Sequence, residues 1–453
     1  MSGPRHTGRS MCSIVVSDLE YAHPGGEALF FDASFKVAPG ERAALVGANG
    51  VGKTTLMRIL AGDLDGHTGA ATAAPDAVYM SQAIGTEHAQ TVREMLLALA
   101  PKRLRTVGRT MLQAERKLAE GNDEEGMALG VAIGEWAELG GYQLEAQWDA
   151  SIRRVVRASL DEVGPRDATE ISGGERKQIV LDMLFSSDAS TLLLDEPDNF
   201  LDVPAKRWLE ERLRTTKKTV LMISHDRDLL AAGVNRVVTL EATGAWVHGG
   251  SYATYAEARE HRQQLLGDAL GRWNDEERRL YRYYKTMKQR AAISEALASR
   301  ADAAETRWKR FVAAGPPPAP ASDHVVHMRL RGADSARRVL RVTRLSFEGL
   351  VEPFSDEIFF GERVGLIGPN GSGKSHVIRV LTGEDVPHGG AIALGPRVSP
   401  GYFSQLSLRP DFAGRTALDP IMQITGGLET AMRGLARYGL AAAARQPYET
   451  LSG

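Results

Sequence analysis

A chain of 453 residues is long enough for two or more domains with separate cores, and its 57 acidic and 55 basic residues nearly cancel, so binding to nucleic acid would need a local patch. No apolar run approaches the roughly 18 residues of a membrane helix, and Met1 to Ser10 has no hydrophobic segment behind Arg5, His6 and Arg9 to make a secretory signal. Cys12 is the only cysteine, so no disulfide partner and no thiolate zinc site is expected, which fits a cytoplasmic protein.

The apolar run Ala43-Ala44-Leu45-Val46 reads as a buried parallel strand. It leads into Gly47-Ala48-Asn49-Gly50-Val51-Gly52-Lys53-Thr54, a G-x-x-x-x-G-K-S/T loop, and then into Leu56, Ile59 and Leu60 on one helical face. The glycines let successive backbone N–H groups close around phosphates without a Cβ in the way. Lys53 would neutralise β- and γ-phosphates, Thr54 would place its hydroxyl on Mg²⁺, and Thr55 would add a second hydroxyl nearby.

Val78-Tyr79-Met80-Ser81-Gln82 follows as a second landmark. Near Pro101 to Asp149, Leu104, Met111, Leu112, Leu118 and Met127 recur at helical spacing among charges. This reads as an inserted helical hairpin turning at Gly121-Asn122-Asp123, or as a slightly longer helical subdomain. After Ser172-Gly173-Gly174 comes Thr191-Leu192-Leu193-Leu194-Asp195-Glu196-Pro197, an apolar strand ending in two carboxylates. Alternate strand residues point opposite ways, so Asp195 can sit beside magnesium and Glu196 beside an attacking water. The plainer alternative is a strand end capped by solvated acids. His225 closes the next apolar strand, Thr219 to Ile223, at the same sheet edge, where a γ-phosphate contact is favoured over a structural role.

From Ala256 to about Ala313 the chain has no proline and near-continuous helix propensity, until Pro316-Pro317-Pro318-Ala319-Pro320 ends it. A break near Thr286 to Ser294 predicts two antiparallel helices, the first of about 30 residues and about 45 Å. Near the tip, Arg278, Arg279, Arg282, Lys285, Lys288 and Arg290 occur with no acidic residue between them, and Tyr281, Tyr283 and Tyr284 are interleaved. A basic helical stretch alone is usually a solvated face. Its place at the end of a lever favours structured RNA, where cations pair with phosphates and rings stack on bases.

The second half repeats the first. Val364-Gly365-Leu366-Ile367 is again strand-like, and Gly368-Pro369-Asn370-Gly371-Ser372-Gly373-Lys374-Ser375 again fits the phosphate-loop pattern, followed by Val377, Val380 and Leu381 on one helical face. Ser375 would take the magnesium role of Thr54, while His376 replaces Thr55 and removes a hydroxyl. Gly401-Tyr402-Phe403-Ser404-Gln405 matches the segment ending at Gln82, and Ser452-Gly453 matches Ser172-Gly173. The expected domains are 1–255, a first nucleotide domain with a helical insertion near 101–149; 256–335, the helical linker; and 336–453, a second nucleotide domain, incomplete and cut at its Ser-Gly segment. A stretch equivalent to Ser172 through Tyr255 is expected to follow Gly453, and without it the second sheet should be incomplete and poorly stable.

Taken together these motifs resemble ATP-binding cassette ATPases. Ile171-Ser172-Gly173-Gly174-Glu175 is similar to the family signature, Tyr21 and Phe347 to the aromatic that stacks on adenine, and Gln82 and Gln405 to the Q-loop glutamine, Gln82 being the one implied to reach the magnesium. Glu196-Pro197-Asp198-Asn199-Phe200-Leu201-Asp202 resembles the Glu-Pro-Thr-Asn-His-Leu-Asp stretch of the ABC-F subfamily, departing at Asp198 and Phe200, a loop between cassettes. Ser224-His225-Asp226-Arg227 and Gly250-Ser251-Tyr252-Ala253-Thr254-Tyr255, followed by a helical linker, resemble the same subfamily.

The resemblance implies an α/β fold class: two P-loop NTPase (ABC-type) domains in tandem, joined by an α-helical hairpin. It implies a head-to-tail pair sandwiching two ATP molecules with Mg²⁺, each between one half's phosphate loop and the other half's signature. Glu196 and His225 would be the catalytic residues. The implied partner is the ribosome, with the linker entering near the peptidyl-transferase centre and P-site tRNA, in translation or in protection from antibiotics. The alternatives are the ATP-binding subunit of a transporter with separate transmembrane partners and, more remotely, a cassette ATPase acting on DNA.

Overall fold

The computed structural model describes residues 13–23, 28–81, 91–122, 125–292, 297–320, 336–403, 412, 414–441 and 443–448. In chain order the elements begin with β1 (Ile14–Ala22), β2 (Ala28–Val37), β3 (Arg42–Val46), α1 (Lys53–Leu60), β4 (Thr68–Ala73) and β5 (Val78–Met80). The helices α2 (Val92–Ala98), α3 (Lys102–Ala119), α4 (Glu125–Glu138), α5 (Gly141–Val155), α6 (Leu160–Val163) and α7 (Gly173–Ser186) follow. Then come β6 (Thr191–Asp195), α8 (Val203–Thr215), β7 (Thr219–Ile223), α9 (Arg227–Gly233), β8 (Arg236–Glu241) and β9 (Gly244–His248). The long helices α10 (Tyr252–Ala291) and α11 (Ala298–Ala313) lead to β10 (Arg338–Phe347), β11 (Val351–Phe359), α12 (Lys374–Leu381), β12 (Gly389–Leu394), α13 (Leu418–Thr425) and α14 (Leu428–Arg437).

The chain divides into two compact units. The first comprises Met1–Ala73 and Leu230–His324. In it β1 lies between β2 and β4, antiparallel to both, with Ile14 opposite Val37 and Ala73. β3 runs parallel to β8, and β8 pairs antiparallel with β9. The middle of β3, Ala43 to Leu45, is fully buried, as an apolar run in a parallel sheet must be.

The helical hairpin belongs to this unit and is longer than its spacing predicts. α10 has 40 residues, about 60 Å of helix, because it starts at Tyr252, inside the segment assigned to the first nucleotide domain. Its first turn is held down: the buried Tyr255 hydroxyl lies 2.9 Å from Thr239 Oγ1, and its ring stacks on Trp246. Arg262 adds an ion pair to Glu241 at 2.7 Å. The helix ends at Ala291, within the expected break, and α11 stops ahead of the proline run.

The second unit comprises Ala74–Leu229 and Val325–Gly453. β5, β6 and β7 are parallel, with Val78 opposite Leu192 and Asp195 opposite Ile223, and β6 and β7 are buried along their whole length. Beside them the expected insertion consists of α3 and α4. Met111 is buried there, Leu104 and Leu112 are half-buried, and Leu118 and Met127 are exposed. Trp136 and Trp148 fill the core in their place, and Gly108 admits the close approach of Leu97 and Trp136. Asp123 of the expected turn lies outside the described residues.

In the same unit β10 lies between β11 and β12, over a core of Leu340, Val342, Leu345, Phe347, Val377, Val380 and Val386. The expected buried strand at Val364 to Ile367 is corrected here. The segment is not a strand, and Val364, Leu366 and Ile367 are 59%, 44% and 92% exposed. Tyr402 and Phe403, counterparts of Tyr79 and Met80 in β5, are likewise 44% and 90% exposed. In the first repeat β8 holds β3 and β6 holds β5; among the described residues the second repeat has no strand in either position. Backbone groups without a ladder partner stay in solvent.

Candidate nucleotide-binding and hydrolysis sites

The two phosphate loops are built alike. Gly50 and Gly52 take φ of 77° and 97°, and Gly371 and Gly373 take 74° and 83°, a left-handed backbone that favours glycine. A Cβ on Gly52 would come within 2.9 Å of the Phe30 ring, and one on Gly373 within 2.7 Å of Val351. Each of these glycines also caps the following helix. Lys53 Nζ donates to the carbonyls of Gly47 and Ala48 at 3.1 Å, and Lys374 Nζ donates to that of Gly368 at 2.8 Å. The ammonium thus closes over its own loop. Thr54 and Ser375 are exposed on the first turns of α1 and α12, Thr55 is half-buried and His376 is exposed. The remaining loop residues stay close to the surface: Asn49 is exposed, Val51 N donates to Ala48 O at 3.3 Å, and Ser372 N donates to Pro369 O at 3.4 Å.

Tyr21 and Phe347 are each 5% exposed. The Tyr21 ring meets His23 at 5.4 Å, and the Phe347 ring meets His376 at 5.8 Å, edge-on in both cases. His376 therefore touches the aromatic that the family resemblance implies for adenine.

The ends of β6 and β7 bring Glu196 and His225 together. Their parallel register sets Asp195 opposite Ile223, and Glu196 N donates to Ile223 O at 2.9 Å. Glu196 has φ of 48°, and its carboxylate lies 3.7 Å from His225 Nε2 and accepts from Asn199 Nδ2. Asp195 is 1% exposed, with the Tyr79 hydroxyl donating to Oδ2 at 3.4 Å. Behind His225, Asp226 receives Lys206 Nζ at 2.6 Å and the amides of Asp228 and Leu229. Burial raises the Asp226 carboxyl, but these donors outweigh it and hold it below the usual range.

Ser172, Gly173 and Gly174 open α7. Ser172 and Glu175 form a reciprocal capping box, with Ser172 Oγ donating to Glu175 Oε2 at 2.6 Å. The same S-x-x-E spacing that suggested a signature also starts the helix. Asn370 of the second phosphate loop packs here: a Cβ on Gly174 would come within 1.9 Å of Asn370 Nδ2. Asn370 N donates to Asp202 Oδ2 at 3.0 Å, and its Nδ2 donates to Phe200 O at 2.8 Å. Asp202 is also the N-cap of α8, the only local signal in the sequence for this carboxylate. Lys177 carries no such signal. It is 4% exposed, and burial pushes its ammonium down to about 8 against the opposing pull of Asp198, Asp195 and Glu196.

On α10 all six basic residues of the tip are exposed. Arg279 is paired to Glu276, Lys285 sits over the Tyr281 ring and Lys288 over the Tyr284 ring. Tyr284 is buried and stacks on Trp308 of α11 at 5.7 Å, and Tyr281 meets the same ring at 5.2 Å. Those two tyrosines hold the hairpin together, which leaves Tyr283, 51% exposed, as the outward ring. Gln82, Gln405, Ser452 and Gly453 lie outside the described residues, as does Cys12.

The ABC transporter family profile matches residues 30–199 and 351–413. An "Antibiotic resistance protein" of Mycobacteroides abscessus is 40% identical over 471 residues, covering 98% of this chain and 85% of its own length. The "Tylosin resistance ATP-binding protein TlrC" of Streptomyces fradiae is 31% identical, covering 81% of this chain and 71% of its own. The "Uncharacterized ABC transporter ATP-binding protein YfmR" of Bacillus subtilis is 29% identical, covering 87% of this chain, which spans 62% of that relative.

An α/β fold with two P-loop nucleotide-binding motifs in tandem and a signature helix places the chain in the ATP-binding cassette family, to which it belongs. Within that family it is a member of the ABC-F subfamily.

Proposed function

We propose that the protein is an ATP hydrolase that acts on the ribosome, in translation or in protection from antibiotics, and works in the cytoplasm. No helix among the described residues is long and apolar enough to cross a membrane. ATP would bind at the phosphate loops through the amides of residues 47–52 and 368–373, with Lys53 and Lys374 on its phosphates. The glycine turns support this, since Gly52 and Gly373 hold a left-handed backbone with Phe30 and Val351 packed where a Cβ would stand.

The oxygen donors Thr54, Ser375 and the buried Asp195 suit magnesium, which prefers hard ligands and would neutralise charge building on the phosphates. Glu196, held by Asn199 and by its strand-end amide, would accept a proton from water. His225, fixed by the Asp226 turn, would contact the γ-phosphate.

The observation that carries the ribosomal part is the hairpin itself: 40 residues of helix docked at its base and ringed with exposed cations at its far end. Cations beside an outward aromatic suit RNA phosphates and bases. The antibiotic-resistance names of the Mycobacteroides abscessus and Streptomyces fradiae relatives favour the same reading.

Glu196→Gln should keep nucleotide binding, slow hydrolysis about a hundredfold or more, and trap an ATP-bound state. That variant is expected to co-sediment with ribosomes only when ATP is present. Absence of ATP-dependent sedimentation would sink the ribosomal reading, and ATP-dependent capture on membranes instead would favour a transporter subunit.

A further inference from the structure

We propose that Lys177 is a positioning residue for nucleotide at the second phosphate loop, acting through Asp198 on the grip that Asn370 receives. The inference rests on the reading of the Lys374 loop as a nucleotide site.

Lys177 lies on α7, one turn beyond Gly174. Its ammonium is buried, and neither Lys177 Nζ nor Asp198 Oδ1 has a hydrogen-bond partner among the described residues. A buried charge without a hydrogen bond is costly, and here the nearest offset is electrostatic, with Asp198 the strongest opposing charge. Asp198 stands where the ABC-F stretch has threonine. The departure is therefore matched by a buried cation from the neighbouring helix.

Asp198 belongs to the loop Glu196 to Asp202, whose far end accepts from the backbone N–H and the side-chain amide of Asn370. The same side-chain amide of Asn370 rests on Gly174, at the start of the helix that carries Lys177. The helix and the loop thus meet at one amide of Asn370, a Cβ on Gly174 falling within 2.6 Å of Phe200 O as well, and the buried charge of Lys177 offsets that of Asp198 behind this contact. Removing the cation should relax the loop and loosen the second phosphate loop without touching it.

The test uses the full chain carrying Lys53→Ala, so that only the Lys374 loop binds, with a fluorescent N-methylanthraniloyl ATP as probe. Lys177→Met is expected to weaken binding about tenfold, as is Asn370→Ala, and the double variant should be no weaker than the worse single one. A residue acting only on overall stability would give effects that add. If Lys177→Met melts early, Lys177→Met with Asp198→Thr, which removes both buried charges, carries the same prediction. Parent-like affinity in either variant, or strict additivity with Asn370→Ala, overturns the proposal. A Lys374→Ala control separates the two failures: if it leaves probe binding unchanged, the nucleotide reading of that loop falls as well; if it abolishes binding while Lys177→Met does nothing, only the role of Lys177 falls.

Discussion

At the first phosphate loop the chain arrives through β3, whose residues Ala43 to Leu45 are fully buried and paired to β8; at the second it arrives through Val364 to Ile367, exposed and in no sheet. Yet the turns that follow agree in the positive φ of their second and third glycines, in the glycine that caps the helix, and in the lysine folded over its own carbonyls. The contrast separates two kinds of information. A phosphate loop is local: glycines free to adopt positive φ and one helical turn are enough to shape it. A strand is not local, because its propensity is realised only against neighbours that supply ladder bonds and a facing layer.

The largest effect that can test this difference is in the first core. Leu45→Ala should cost about 2–5 kcal/mol of stability in denaturant unfolding, since it leaves a cavity in a fully packed strand. The glycine caps come next, where the two regions should behave alike. Gly52→Ala and Gly373→Ala should each cost about 1–2 kcal/mol from the left-handed backbone alone, and weaken nucleotide binding at their own loop by similar factors. A large disparity between them would mean that the loop geometry depends on the strand after all. The smallest effect belongs to Ile367→Ala, with a change below about 0.5 kcal/mol for an exposed side chain. A cost approaching that of Leu45→Ala would remove the distinction.

The same division explains what could be read from the sequence. The loops at Lys53 and Lys374 were legible because their glycine spacing is itself the physical requirement. Glu196 and His225 were legible as a pair because each directly follows an apolar strand, and the register of β6 with β7 sets them 3.7 Å apart. Val364 to Ile367 carries the composition of a buried strand, but composition does not report whether a neighbour is present. The grip of Asp202 on Asn370 joins positions far apart in sequence, so no local pattern could disclose it. Nothing in the sequence distinguishes Lys177 from the other charges near it, and only its burial, with Asp198 its strongest opposing charge, marks it out. On the linker, the interleaved tyrosines were visible but not their division of labour, because Trp308, which claims Tyr281 and Tyr284, lies on the other helix.

Amide hydrogen exchange, followed residue by residue in the native full chain, measures the central contrast most directly. Ala44 and Leu45 should be protected close to the limit of global unfolding, while Val364 to Ile367 should exchange at nearly the rate of an unstructured peptide. Comparable protection of the two segments would contradict the account.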